Sequence, residues 1–507
     1  MAAATTEPPK SASDACGKET VVQGEPLYVE GEASPTPNEV KKRFVTQGWR
    51  DKWWIVPFVA QVILVIALGI TAKNPEPEPQ SQTANAHGGH GLHINVATPA
   101  GNERPFGPHA QVHVVVLYAA MAAFGVAAAA LALMKAAPRQ FIVFANVVTS
   151  GLMILMALVG FGNKQYWGGF FMLLCGAGSL LWLYCIRDRI PFSAVLLETS
   201  VTVTTRHYGT FVTAVSTVPL FVLYSWIWIH AAAPTLIALD RDAAAKHRAA
   251  QTHDDTGRPS DGEVVYHVFA TLMLLLAWLW TVQVVTNVSH VTTSGTVATW
   301  YFAGADMMPP HPTVASLKRA MTTSFGSICF GSLLVATVKL LYYIGRCFAD
   351  QEGNDFVRCV MLCILNLLDY LIEKFNVYAY THVAIYGSSF VEAGMQTWEM
   401  VKNCGWAAFF NDALCFPVLE ITSLFGAICI GVVFGLVYQS AAVGITVFLM
   451  TYGLLVLLLR PIYSSLVTMF VCVAECPDAM AANPDFSRKL NDAVALLGGS
   501  PIGSSTA

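Results

Sequence analysis

Residues 287–303 read NVSHVTTSGTVATWYFA. They continue an apolar run, residues 264–288, that is long enough to cross a bilayer, and they change character without turning into a loop. Ser289, Thr292, Thr293, Ser294, Gly295, Thr296, Ala298 and Thr299 fill the middle, and Trp300, Tyr301 and Phe302 close it. Small residues let helices approach closely in a membrane, and hydroxyls satisfy main-chain groups where a helix is irregular. Clustered aromatics hold organic cations or anchor a helix at an interface. A broken, polar segment inside a polytopic chain points to a permeation path. A tight helix-packing seam ending in an aromatic anchor uses the same residues, and spacing leaves both readings open.

Composition sets the class. The chain has 507 residues, 55% hydrophobic and only 12% charged, against roughly 25% charged in a soluble domain. The expected fold is an all-α integral membrane protein of about ten transmembrane helices, with broken or polar segments near the middle and an interfacial amphipathic helix. The net charge of −4 offers no basic footprint for nucleic acid. Residues 1–52 are polar and rich in Pro, Ser and Glu, without an apolar amino-terminal core. They read as a disordered cytosolic tail and not as a cleaved signal. A transporter domain follows over residues 53–476, and then a cytosolic tail over 477–507.

The first apolar run, residues 53–72, matches a hydrocarbon core of roughly 30 Å at 1.5 Å per residue. Lys41, Lys42, Arg43, Arg50 and Lys52 precede it, and only Lys73 and Arg104 lie in the loop beyond, about 73–111. Cationic residues concentrate on the cytosolic side, so the amino terminus is expected inside. Runs 113–134, 141–162 and 167–186 follow. Lys135 and Arg139, then Arg187 and Arg189, fall at the expected cytosolic turns. Residues 187–207 read as a cytosolic connector, and 208–232 as the fifth span. A second external loop is expected at about 233–262, with a short helix through AAAKHRAAQ. Lys318 and Arg319 mark the cytosolic side before a seventh span at about 320–344.

Residues 359–375 are amphipathic, with Asn366, Asp369 and Glu373 on one face, and are expected to lie at the interface. Residues 376–401 span only if their polar face meets protein or water. The last two spans are about 410–438 and 443–473, the former with a Gly431/Gly435 pair. Both termini are then cytosolic.

The twelve cysteines do not form an external disulfide framework, because neither large external loop holds one. His87, His90 and His93 lie in a Gly-rich run. Imidazoles there could collect Zn²⁺ or Cu²⁺, but no Cys or carboxylate cluster completes a shell. No P-loop, HExxH, GxSxG or kinase pattern is present, so no enzyme, cofactor or resident metal is expected. A carrier or channel leads, and a metal or small-ion channel using the His-rich loop is the alternative.

Four ordered stretches carry a resemblance: NVSHVTTSGTVATWYF from 287, FGSICFGSLL from 325, FNVYAYTHVAIYGSSF from 375 and TMFVCVAECPD from 468. Together they resemble the choline transporter-like family. The amino-terminal half is similar in plan, with one span, a large loop and nine further spans. Val391 stands where that family commonly has Cys after the IYGxxF signature. The resemblance implies a facilitative or exchange carrier of choline or a related, ethanolamine-like cation, which would supply phosphatidylcholine synthesis and act most naturally at the plasma membrane.

Choline chemistry selects candidate residues. A quaternary ammonium cannot donate a hydrogen bond, so it needs aromatic faces, worth about 2 kcal/mol when desolvated, and a carboxylate nearby. Trp300, Tyr301, Tyr380 and Tyr386 are the aromatic candidates. Glu392 and Glu420 are the acidic ones. Asn287, Ser289 and Asn376 are candidates for the hydroxyl.

Overall fold

The computed structural model describes residues 49–71, 110–251, 261–351, 353, 355–404 and 407–496. The amino-terminal tail before residue 49 and the run with His87, His90, His93 and His109 lie outside them. Fourteen α-helices follow in order among the described residues. They are α1 (Ile55–Thr71), α2 (Ala110–Ala136), α3 (Pro138–Gly162), α4 (Tyr166–Cys185), α5 (Ile190–Arg206), α6 (Gly209–Gln251) and α7 (Asp261–Ala303), then α8 (Pro312–Met321), α9 (Phe325–Gln351), α10 (Asp355–Tyr386), α11 (Phe390–Cys404), α12 (Ala407–Val437), α13 (Ala441–Glu475) and α14 (Pro484–Ala495).

Nine of these are long and apolar enough to cross a membrane: α1 to α4, α6, α7, α9, α12 and α13. Their outward faces carry large apolar side chains such as Leu181, Leu341 and Leu436, as a lipid-facing surface must. α10 (Asp355–Tyr386) is not among these nine, and it packs along α9. Tyr342 donates to Asn366 at 2.7 Å, Lys339 lies 3.8 Å from Glu373, and Ser332 Oγ lies 3.2 Å from Tyr380 Oη. These pairs step in opposite directions along the two chains, so α10 runs antiparallel to α9. Of its polar residues Lys374 is buried, while Asn366 and Glu373 stay exposed beside α9.

Three boundaries differ from the sequence reading. The amphipathic residues 359–375 are not a separate interfacial helix. They are the first half of α10, and the break comes at Gly387, whose φ of 67° is a left-handed geometry that glycine adopts without strain. The short amphipathic helix is α11, fifteen residues long and thus about 23 Å, with Val391, Met395 and Trp398 exposed. The residues expected as an external loop after 232 instead extend α6 without interruption to Gln251.

The polar stretch 287–303 is not broken either. It completes α7, a single helix of 43 residues. Thr292 donates to the Val288 carbonyl at 2.7 Å, Thr293 to Ser289 at 3.0 Å, Thr296 to Thr292 at 2.9 Å and Thr299 to Gly295 at 2.7 Å. Each of these four threonine hydroxyls is satisfied one turn back on its own helix, so no distortion is needed. The small residues serve close packing. A side chain at Gly295 would run into Arg319 and Ser316 of α8. The α12–α13 crossing follows the same rule, since Gly431 and Gly435 face Gly444 across it.

Helix order gives the bundle two ends. The tail end collects Asp51, α5, α8, α11 and α14. Asp51 Oδ2 there accepts from Ser327 Oγ at 2.7 Å and from the Phe390 N–H at 2.9 Å. The opposite end carries the α3–α4 turn and the start of α10, where Trp167 meets Phe356 edge-on at 5.0 Å between ring centroids. No disulfide joins the described cysteines.

Candidate functional site

A cavity of about 720 Å³ opens between α3, α4, α10, α12 and α13, within the usual range for a small-molecule site. It reaches from Gln165 at the α3–α4 turn to Thr149. From Gly160 to Thr149 the wall descends about 16 Å along α3. Leu152, Ile421 and Leu424 supply apolar surface, Met153, Met156 and Met172 supply polarizable thioethers, and Tyr370, Phe416 and Tyr452 supply rings. Glu420 is the one charged residue of the lining. It is half-buried, and Tyr452 donates to its Oε2 at 3.1 Å. That bond fixes one carboxylate oxygen and leaves the group's charge facing an apolar, aromatic space.

Pro417 also lines this space, one turn from Ala413 on the same helix. Proline has no N–H, so the Ala413 carbonyl lacks its ordinary helical donor. The wall therefore offers a negative charge, aromatic faces and a backbone acceptor. An organic cation bearing one hydroxyl calls for these three features.

Deeper, α10 joins three further polar clusters. Asn287 donates to Ser332 at 3.0 Å, and Ser332 bonds Tyr380, whose ring packs on Phe390 at 5.1 Å. His290 Nδ1 lies 2.8 Å from Ser464 Oγ, with Nε2 3.2 Å from the Val377 carbonyl. At the tail end His382 Nε2 lies 2.7 Å from Glu475 Oε1, while Tyr386 donates to Glu475 Oε2. Thr397 of α11 reaches His382 Nδ1 at 3.1 Å.

The nine residues singled out from sequence do not converge. Glu420 alone lines the cavity. Asn287 and Tyr380 share one buried cluster, and Tyr386 belongs to another. Ser289 is buried in the α7 seam and Asn376 is half-buried on α10. Glu392 lies in the first turn of α11, whose N–H groups are capped by Asp51 and by Ser389 Oγ, 3.3 Å from the Glu392 N–H. A carboxylate there suits the positive end of the helix dipole.

Trp300 and Tyr301 sit at the tail end. Trp300 meets Phe486 of α14 edge-on at 6.0 Å, and Tyr301 donates to the Cys476 carbonyl at 2.8 Å. Asn483 donates to the carbonyls of Trp300 and Tyr301 at 3.2 and 3.0 Å and accepts from the Ala305 N–H at 3.1 Å. It thus satisfies main-chain groups that the end of α7 leaves open. Lys489 of α14 reaches Glu198 of α5 at 2.7 Å. Outside the spans, burial pushes the Arg319 guanidinium of α8 down to about 10. Burial and then the Arg206 charge lower His207 in the α5–α6 turn.

Trp300 is buried against Phe486 and lines a second cavity of about 440 Å³ with Asn483 and Lys489. Trp300→Ala is expected to destabilise the fold by about 3–5 kcal/mol and to cut abundance in the membrane, with the half-saturating substrate concentration unchanged. Uptake curves normalised to surface protein measure it.

Sequence reasoning missed Tyr370, Phe416 and Tyr452 as cavity walls, and Glu475 as the partner of His382 and Tyr386. An acidic residue before Cys-Pro in TMFVCVAECPD was the available signal for Glu475, since a carboxylate closing an apolar run needs a partner.

Residues 170–478 match the family model described as plasma-membrane choline transporter. A CTL-like protein of Dictyostelium discoideum is 28% identical over 325 residues, 62% of this chain and 54% of that protein. Protein PNS1 of Gibberella zeae is 28% identical over 400 residues, 75% of this chain and 72% of its own length. Protein PNS1 of Debaryomyces hansenii is 30% identical over 328 residues, 61% of each chain. The match thus spans about half the length of the Dictyostelium relative. The family model covers more than half of this polytopic helical chain, and the chain belongs to the choline transporter-like family.

Proposed function

We propose that the protein carries choline, or a related small organic cation, across the membrane by facilitation or exchange. The observation that supports this best is the lining of the cavity, in which a single carboxylate faces rings and thioethers. The quaternary head would rest against Tyr370 and Phe416, with Glu420 as its counter-charge. The hydroxyl would donate to the Ala413 carbonyl. Family membership favours a transporter over an enzyme.

Orientation follows from charge. Arg50, Lys52, Lys135, Arg139, Arg187, Arg189, Lys318 and Arg319 all fall at the tail end, which is then the cytosolic side. The cavity reaches the α3–α4 turn at the other end, which would be the extracellular side if the protein resides in the plasma membrane. The cytosolic half is closed by α14 against α7 and by the His382–Glu475–Tyr386 cluster. Choline entering this way would feed phospholipid synthesis. Opening the cytosolic half requires α14 or α11 to move relative to α7 and α10.

The test is uptake of labelled choline into cells without carriers of their own. Expression of the chain is expected to give saturable uptake that excess unlabelled choline abolishes. Expression at the surface without saturable uptake contradicts the reading.

A further inference from the structure

Lys374 lies one helical turn beyond Tyr370 on α10 and is only 3% exposed. Its Nζ is 4.0 Å from the Phe416 ring centroid, 4.5 Å from Tyr463 and 5.4 Å from Tyr370. It also donates to the Tyr463 hydroxyl at 2.8 Å. Phe416 and Tyr463 meet edge-on at 5.7 Å, so the rings form a fixed corner. Three ring faces around one ammonium make a cage of the kind that recognises alkylated ammonium ligands. Two of its rings, Tyr370 and Phe416, are also walls of the cavity. The cage therefore lies directly behind the surface on which we place the substrate's head.

A charged lysine at this depth is costly, and the rings and the Tyr463 hydroxyl offset part of that cost. We propose that this cage is the innermost subsite for the substrate's quaternary ammonium, and that Lys374 is its tethered occupant, which the substrate must displace. The proposal rests on the reading that the cavity takes an organic cation. Two positive charges cannot share the cage, because their repulsion in a low-dielectric site is large. The lysine ammonium keeps a hydrogen bond that a quaternary head cannot form. Lys374 thus weakens binding by competition, sets the concentration at which the carrier saturates and, by its own movement, separates an occupied from a vacant cage.

Replacing Lys374 should therefore tighten binding, the opposite of what loss of a contact residue does. Lys374→Met keeps an unbranched chain one atom shorter and puts an apolar group in an apolar site, a change that buried ion sites tolerate. Lys374→Gln is a second form. Tyr463→Phe keeps all three rings and removes only the hydroxyl tether. The probe for binding is tetramethylammonium chloride added to the purified full-length protein, read as the shift of the thermal unfolding midpoint against sodium chloride. Labelled choline uptake is read in parallel.

The apparent dissociation constant for tetramethylammonium is expected to fall about tenfold in Lys374→Met and Lys374→Gln, as when one desolvated cation–π competitor is removed. It is expected to fall about threefold in Tyr463→Phe, and half-saturating choline should follow. Unchanged or weaker tetramethylammonium binding in the folded variants overturns the proposal, and Tyr463→Phe decides if neither lysine variant folds. If wild-type protein takes up no choline while Lys374→Met still gains tetramethylammonium binding, the transport reading fails and the subsite stands. If wild type transports choline and no variant gains affinity, the subsite fails and the transport reading stands.

Discussion

Glu420→Gln is expected to raise the half-saturating choline concentration by about tenfold or more, with surface abundance and maximal rate near those of the wild type. The substitution keeps the shape of the side chain and the acceptor for Tyr452, 3.1 Å away, so the wall of the cavity should stand. It removes the one charge in a lining built mostly of rings, thioethers and aliphatic groups. A cation moving from water into that space then loses its counter-charge. Tenfold corresponds to about 1.4 kcal/mol, a modest loss for an ion pair at an effective dielectric constant near 20. Inhibition by tetramethylammonium should weaken in parallel, because the effect acts on the cationic head and not on the hydroxyl. A variant with normal half-saturation and lowered maximal rate would show that Glu420 acts elsewhere in the cycle.

Glu475→Ala is expected to reduce stability by about 3–5 kcal/mol and to leave little folded protein in the membrane. Its carboxylate is buried between His382 and Tyr386, and His382 is also held by Tyr378 and Thr397. Removing one partner of a buried, hydrogen-bonded pair strands the other. Glu475→Gln should cost less, about 1–3 kcal/mol, because one acceptor remains. Thermal unfolding of the purified variants measures both. Equal stability of wild type and Glu475→Ala would show that the cluster contributes nothing to closing the tail end.

The crossings were legible because each apolar run is about as long as the hydrocarbon core is thick, and because charge falls at alternate turns. The helix α10 was harder to read. Asp369, Glu373 and Lys374 within residues 359–375 lower the apolar content below that of a lipid-facing span, and the stretch looks interfacial when taken alone. Its polar face meets Lys339 and Tyr342 of α9 and the rings of Phe416 and Tyr463, partners supplied from distant parts of the chain.

Residues 287–303 invited a different misreading. Hydroxyls and a glycine were compatible with a broken helix, but each threonine bonds its own helix one turn back, and Gly295 admits α8. Of the candidate site residues, Glu420 was legible because a lone carboxylate in an apolar run needs a reason. Tyr452, Tyr463 and Phe416 were not, because an aromatic in a span is ordinarily packing, and only the crossing of α12 and α13 turns these toward α10. The pairing of Tyr386 with Glu475 links positions 89 apart and carries no local signal.

The most direct measurement is an electron cryo-microscopy structure of the full-length protein in lipid nanodiscs at saturating choline. The predicted result is ligand density in the cavity between α3, α10 and α12, with the ammonium within about 6 Å of the Tyr370 or Phe416 ring and Glu420 beside it. Density beside Trp300 and Tyr301 at the tail end, with the α10–α12 cavity holding only lipid or water, would contradict the account.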